Sequence, residues 1–93
     1  MTATREIVVR HTVGLHARPA AQFVKTATRF ASSITISNLS KGTLPANAKS
    51  ILSVLAAAVQ GNEQIRLSAE GADEDAAIAA LCELIDGNFG EPE

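Results

Sequence analysis

Aromatic and sulfur-bearing side chains are scarce in this chain. Its 93 residues include no Trp, no Tyr and three Phe. Phe23, Phe30 and Phe89 do not alternate along one stretch, as a base-stacking platform requires, so nucleic acid is not expected as a partner. The single cysteine, Cys82, leaves nothing for an internal disulfide, and one cysteine with two histidines falls short of a structural zinc set. Neither a metal nor a cofactor is expected. No run of 18 unbroken apolar residues occurs, which argues against direct membrane insertion. Residues 1–7 hold no apolar segment behind a basic cluster, so a cytoplasmic place without a secretory signal is expected.

What the chain does have is apolar material, 46% of residues, enough for one small domain over residues 1–93 with a modest core. Its charge is polarised. Residues 1–60 carry seven basic side chains against Glu6 alone, a balance of +6, whereas residues 61–93 carry Arg66 against nine acids, a balance of −8. Such a molecule can steer a basic face toward an acidic partner, although an ordinary solvated surface gives the same asymmetry.

Period-two alternation marks a first strand at 6–11, with Ile7 and Val9 on one face and His11 at its end. The period then turns helical over 20–31, where Ala20, Phe23, Val24, Ala27 and Phe30 form the apolar stripe. Residues 33–37 alternate again, and 42–44 are expected to return as a short hairpin strand. Asn47 suits an N-cap for a second helix over 48–59, ended by Gly61. Ile65, Leu67 and Ala69 define a last strand over 64–69. A third helix follows with acid in its first turn and a stripe of Ile78, Leu81, Cys82 and Ile85. Burial is the default reading for Cys82, and the tail is expected to fray from about residue 87. The order βαββαβα implies an α+β fold, a mostly antiparallel sheet with helices on one face.

One short string carries chemistry: Gly14-Leu15-His16-Ala17-Arg18-Pro19-Ala20-Ala21-Gln22-Phe23-Val24. Pro19 is tolerated in a first helical turn, where N–H groups lack intrahelical partners, so His16 is expected at the cap. The free amides of Ala17 and Arg18, the helix dipole and the Arg18 guanidinium together favour an anion. No second ligand or orienting acid is near in sequence, which disfavours a metal centre or a general base. A neutral imidazole attacking a phosphoryl group fits the donors around it. A histidine that merely caps the helix satisfies the same spacing.

Residues 14–24 closely resemble the active-site signature of the HPr family of phosphocarrier proteins of the phosphoenolpyruvate-dependent sugar phosphotransferase system. Asn47-Ala48-Lys49-Ser50-Ile51-Leu52 resembles the segment around that family's regulatory serine, and residues 67–74 resemble its last strand and turn. The resemblance spans about residues 5–86. It implies an open-faced β-sandwich with a four-stranded antiparallel sheet and three helices. It implies that His16 is phosphorylated at the δ1 nitrogen and that Arg18 steadies the phosphate and meets acidic groups on partners. Phosphate would arrive from phosphoenolpyruvate through Enzyme I and leave to IIA domains of sugar permeases.

By the same resemblance Ser50 is a regulatory phosphorylation site, served by a serine kinase/phosphorylase and read by a transcriptional regulator. Taken alone, Ser50 is an ordinary residue in the third position of the second helix. Ala21 and Lys25 on the first helix and Ile51, Leu52 and Leu55 on the second match docking positions. Core burial is the competing expectation for the last three, of which at least one should be exposed. Two departures stand out: Val13 replaces a commonly small polar residue, and the Lys41–Asn47 loop is a few residues longer than usual. Three other readings stay open: a paralogous carrier or regulatory protein of a nitrogen-related or carbon-catabolite branch, a small phosphatase, and an interaction module in which His16 is only a cap.

Overall fold

A computed structural model describes residues 2–10, 14, 15 and 17–90. The strongest period-two segment forms the centre of the sheet. β4 (Glu63–Glu70) buries Ile65, Leu67 and Ala69 on one face and pairs on both edges. β1 (Thr2–Val9) and β2 (Ser33–Asn38) flank it, and the two-residue β3 (Ala46–Asn47) closes the order β1-β4-β2-β3, antiparallel throughout. Registers such as Ile7 opposite Ile65 and Ile36 opposite Leu67 align the apolar rows of three strands on one face.

α1 (Ala17–Ala27), α2 (Ile51–Ala56) and α3 (Glu74–Asp86) cover that face. Pro19, Ala20, Phe23 and Ala27 point inward from α1, Val54 from α2, and Ala77, Ile78, Leu81, Cys82 and Ile85 from α3. Phe23 is wholly buried, which contributes about 1.5–3 kcal/mol by area. Burial also lifts the Cys82 thiol above its ordinary pKa. The opposite face of the sheet stays open and polar, with the row Thr4, Ser68, Thr35 and Asn47 running across all four strands.

Several local expectations are corrected, beginning with the first strand, which runs over Thr2–Val9 and not from residue 6. The return strand is at 46–47 rather than 42–44, because residues 38–43 are spent on a turn. Asn38 N–H donates to Thr43 Oγ1 at 2.8 Å, Thr43 N–H returns to Asn38 O at 3.0 Å, and Gly42 takes φ +69°. Helix α2 starts at Ile51, not 48, and Asn47 is not its cap. Ala48 is buried with its N–H on Ile34 O at 3.0 Å, so that group is tied to β2, and residues 48–49 form a turn closed by Ser50 N–H on Asn47 O at 3.1 Å before the helix begins. The Asn47 side chain instead accepts from Lys49 N–H at 2.9 Å, and Ser50 becomes the N-cap, its Oγ accepting from Ser53 N–H at 3.3 Å. The helix ends at Ala56, before Gly61, because Ala58 turns left-handed at φ 51°.

The first helix is shifted toward the N-terminus, 17–27 rather than 20–31, and tightens at its end through Arg29 N–H to Thr26 O and Phe30 N–H to Ala27 O, both 3.2 Å. The tail, finally, carries a 3₁₀ turn at Asn88–Gly90 that brings Phe89 into the core at 2% exposure. Asp73 stands at the α3 N-cap without capping it. Its carboxylate accepts from Ser32 Oγ and from the N–H groups of Ala31 and Ser32 at 2.8 and 2.9 Å, which lowers its pKa below the usual carboxylate range.

Candidate functional site

The segment ahead of α1 is pinned before the helix begins. Gly14 is buried with φ +68°, and a Cβ there would stand 2.2 Å from Val59 O and 2.5 Å from Gln60 Cα. Only glycine takes both the backbone angle and the close approach. Leu15 follows with its side chain in the core at 3% exposure and its N–H donated to Val59 O at 2.8 Å. His16 is the one residue between Leu15 and the start of α1. It lies outside the described residues, as do His11 and Val13.

Ala17 and Arg18 open α1 and are exposed, while Pro19 at the third helical position is buried and has no N–H to leave unpaired. No acidic side chain occupies this first turn, so the positive end of the helix is not offset from within. Arg18, Ala21 and Lys25 recur at spacings of three and four on the exposed side of α1. α2 packs beside α1, and its Ile51, Leu52 and Leu55 are 38%, 77% and 39% exposed. The expectation that at least one of the three is exposed holds for all of them, and they belong to the helix that packs beside α1. Ser50, half-buried as the N-cap, immediately precedes Ile51.

Behind this face is a polar cluster that sequence reading did not single out. One oxygen of Glu63, Oε1, accepts from Lys41 Nζ at 2.7 Å, Gln60 N–H at 2.7 Å and Asn38 Nδ2 at 3.1 Å. Lys41 Nζ also donates to Ala58 O at 2.8 Å, and Asn38 Nδ2 to Ala57 O at 3.0 Å. These two carbonyls close α2, whose last turn has no basic residue of its own, so a cation from the 38–43 turn serves its negative end. The Lys41 contact first, then the bonds from Gln60 and Asn38, hold the Glu63 carboxyl at about 2, against an ordinary 4.5. A sequence signal existed. The parity that sends Ile65, Leu67 and Ala69 inward also sends Glu63 inward, and Asn38 continues the row of Ile34 and Ile36.

The chain matches the family model for the PTS HPr component phosphorylation site over residues 3–87. It is 44% identical to the phosphocarrier protein HPr of Lysinibacillus sphaericus over 82 residues, covering 88% of this chain and 90% of that protein. It is 40% identical over 86 residues to a multiphosphoryl transfer protein of Salmonella typhi, covering 92% of this chain but only 23% of that protein, so it spans less than a quarter of such relatives. Among solved structures, HPr-C-His from Thermoanaerobacter tengcongensis superposes with a TM-score of 0.91 at 42% identity, over 98% of this chain and 99% of that one.

Proposed function

The chain belongs to the PTS HPr family, and from that membership we propose that it is a phosphocarrier whose phosphoryl acceptor is His16. The observation that carries the reading is the pinned Gly14–Leu15 segment directly ahead of an exposed, acid-free helix start at Ala17 and Arg18. Residue 16 directly precedes this helix start in the chain, and the N–H groups of a first helical turn have no acceptor within the helix and lie at the positive end of its dipole. The unprotonated imidazole nitrogen, Nδ1 by the family resemblance, forms a bond to phosphorus as the donor's bond to phosphorus breaks. The ring's proton stays on the other nitrogen. The amides of Ala17 and Arg18 and the Arg18 guanidinium receive the phosphoryl oxygens. Passing the group to a recipient reverses these steps.

Enzyme I is the proposed donor and IIA domains of sugar permeases the proposed recipients, docking on Ala21, Lys25, Ile51, Leu52 and Leu55. A surface that pairs basic with exposed apolar side chains supports a protein partner over a small substrate. We read residues 1–93 as one HPr-like domain acting in the cytoplasm. Among the described residues no helix is long and apolar enough to cross a membrane. Phosphorylation of Ser50 by a serine kinase would place about −1.5 to −2 charges beside Ile51 and Leu52, weakening docking of an acidic donor.

The test is intact-mass spectrometry of the protein with phosphoenolpyruvate, Mg²⁺ and Enzyme I, repeated with His16→Ala. One acid-labile phosphate, absent from the variant, is the expected result. No uptake, while the same donor phosphorylates another carrier in parallel, overturns the reading.

A further inference from the structure

We propose that Glu63 is a positioning residue for the acceptor site, fixing the Val59–Gln60 peptide group that holds the segment ahead of α1. The inference rests on residue 16 being the acceptor, as proposed above.

The carbonyl of Val59 and the N–H of Gln60 belong to the same rigid unit. The carbonyl end accepts Leu15 N–H at 2.8 Å, and the N–H end donates to Glu63 Oε1 at 2.7 Å. A carboxylate on the N–H end orients the plane and polarises it, which strengthens the carbonyl as an acceptor at the other end. The same plane forms the wall against Gly14, where a Cβ would stand 2.2 Å from Val59 O and 2.5 Å from Gln60 Cα. Any rotation of it is therefore transmitted to Gly14 and Leu15, and Leu15 is bonded to residue 16.

Glu63 cannot swing away to relax, because Lys41 and Asn38 grip the same oxygen. Those two residues hold the carbonyls of Ala57 and Ala58 as well, so the segment between α2 and the plane is fixed from both sides. Asn62 N–H adds a bond to Val9 O at 2.7 Å, tying the far side of the turn to the end of β1. Fold stability needs a satisfied sheet end, but it does not need one carboxylate oxygen shared among a β2 amide, a turn ammonium and this peptide. That sharing has its consequence at Leu15.

The experiment compares Glu63→Ala, the near-isosteric Glu63→Gln and the control Glu6→Gln, which breaks an ion pair of the same length on the open sheet face. Phosphoryl uptake from phosphorylated Enzyme I is followed by rapid quench. Leu15 amide exchange and the His16 ring titration are followed by NMR, all well below the melting temperature. Glu63→Ala is expected to slow transfer about tenfold, expose the Leu15 amide to exchange and shift the His16 titration. Glu63→Gln, which keeps an acceptor oxygen, is expected to fall between it and wild type, and Glu6→Gln to match wild type. If Glu63→Ala does not fold, Glu63→Gln carries the test.

A lowered melting temperature with unchanged transfer, Leu15 exchange and His16 titration overturns the proposal and leaves Glu63 a structural residue. Wild-type protein that takes no phosphate fails the carrier reading instead, and the two NMR readouts still decide whether Glu63 sets the loop.

Discussion

Lys41 Nζ lies 2.7 Å from Glu63 Oε1 at one end of the sheet, and Arg66 Nη2 lies 2.7 Å from Glu6 Oε2 on its open face. The second pair joins neighbours opposite one another on β1 and β4, with side chains 47% and 44% exposed. Water and salt screen it, so it contributes about 0–1 kcal/mol and organises nothing beyond itself. The first pair is less exposed, at 34% and 19%, and its atoms also hold Gln60 N–H, Asn38 Nδ2 and Ala58 O. Equal separation thus conceals unequal consequence. What an ion pair does is decided by the other groups its atoms hold and by the segments those groups belong to.

The receiving end of the clamp can be disturbed without touching Glu63. Gly14→Ala forces a Cβ to 2.2 Å from Val59 O at a left-handed φ, and we expect a loss of about 2–4 kcal/mol in urea unfolding. A loss below about 0.5 kcal/mol would mean that the Val59–Gln60 wall yields easily and transmits nothing. Next in size is Asn38→Ala. It removes a fully buried amide and strands Ala57 O and Lys41 N–H, and a cost of about 1–3 kcal/mol is expected by the same measurement.

Glu63→Gln sharpens the contrast through pH. The folded carboxyl sits at about 2 and the ordinary one at 4.5, so its stabilisation is fully present above 4.5 and is lost as pH falls toward 2. The stability difference between wild type and Glu63→Gln should therefore shrink over that window in pH-dependent denaturation. Asp73, also held low, is common to both proteins and drops out of the difference. The smallest effect is expected from Glu6→Gln, below about 0.5 kcal/mol and vanishing in molar salt. A cost matching that of Asn38→Ala would erase the distinction between the two pairs.

Legibility followed element length. β4 and α3 hold enough turns of their period for inward residues to be named in advance, and Ile65, Leu67, Ala69, Ile78, Leu81, Cys82 and Ile85 are all buried. β3 has two residues and α2 six, too few for a period to show. At the start of α2 both Asn47 and Ser50 are good caps. The bond from Ala48 N–H to Ile34 O, fourteen residues back, chose between them. Phe89 follows Gly87 in a polar tail with no pattern, and only the space beside α3 shows why it is buried. Helical spacing put Ala21 and Lys25 on the exposed side of α1, whereas Ile51, Leu52 and Leu55 were singled out by the family resemblance and only the structure shows that all three are exposed. Asn38, Lys41 and Glu63 could not be placed by either, because three residues spread over twenty-six positions meet only once β2 and β4 are paired.

Alternation and helical spacing alone set out the order of elements and the inward face of each long strand and helix, and the string from Gly14 to Val24 carries the family resemblance. These are local properties, written in alternation, helical spacing and the chemistry of adjacent residues. Tertiary structure decided where α2 begins, where the tail packs, and that a glutamate at the end of a central strand reaches the peptide holding Leu15. Each of those outcomes depends on backbone and side-chain groups far apart in the chain whose hydrogen bonds exist only after the sheet has set its register.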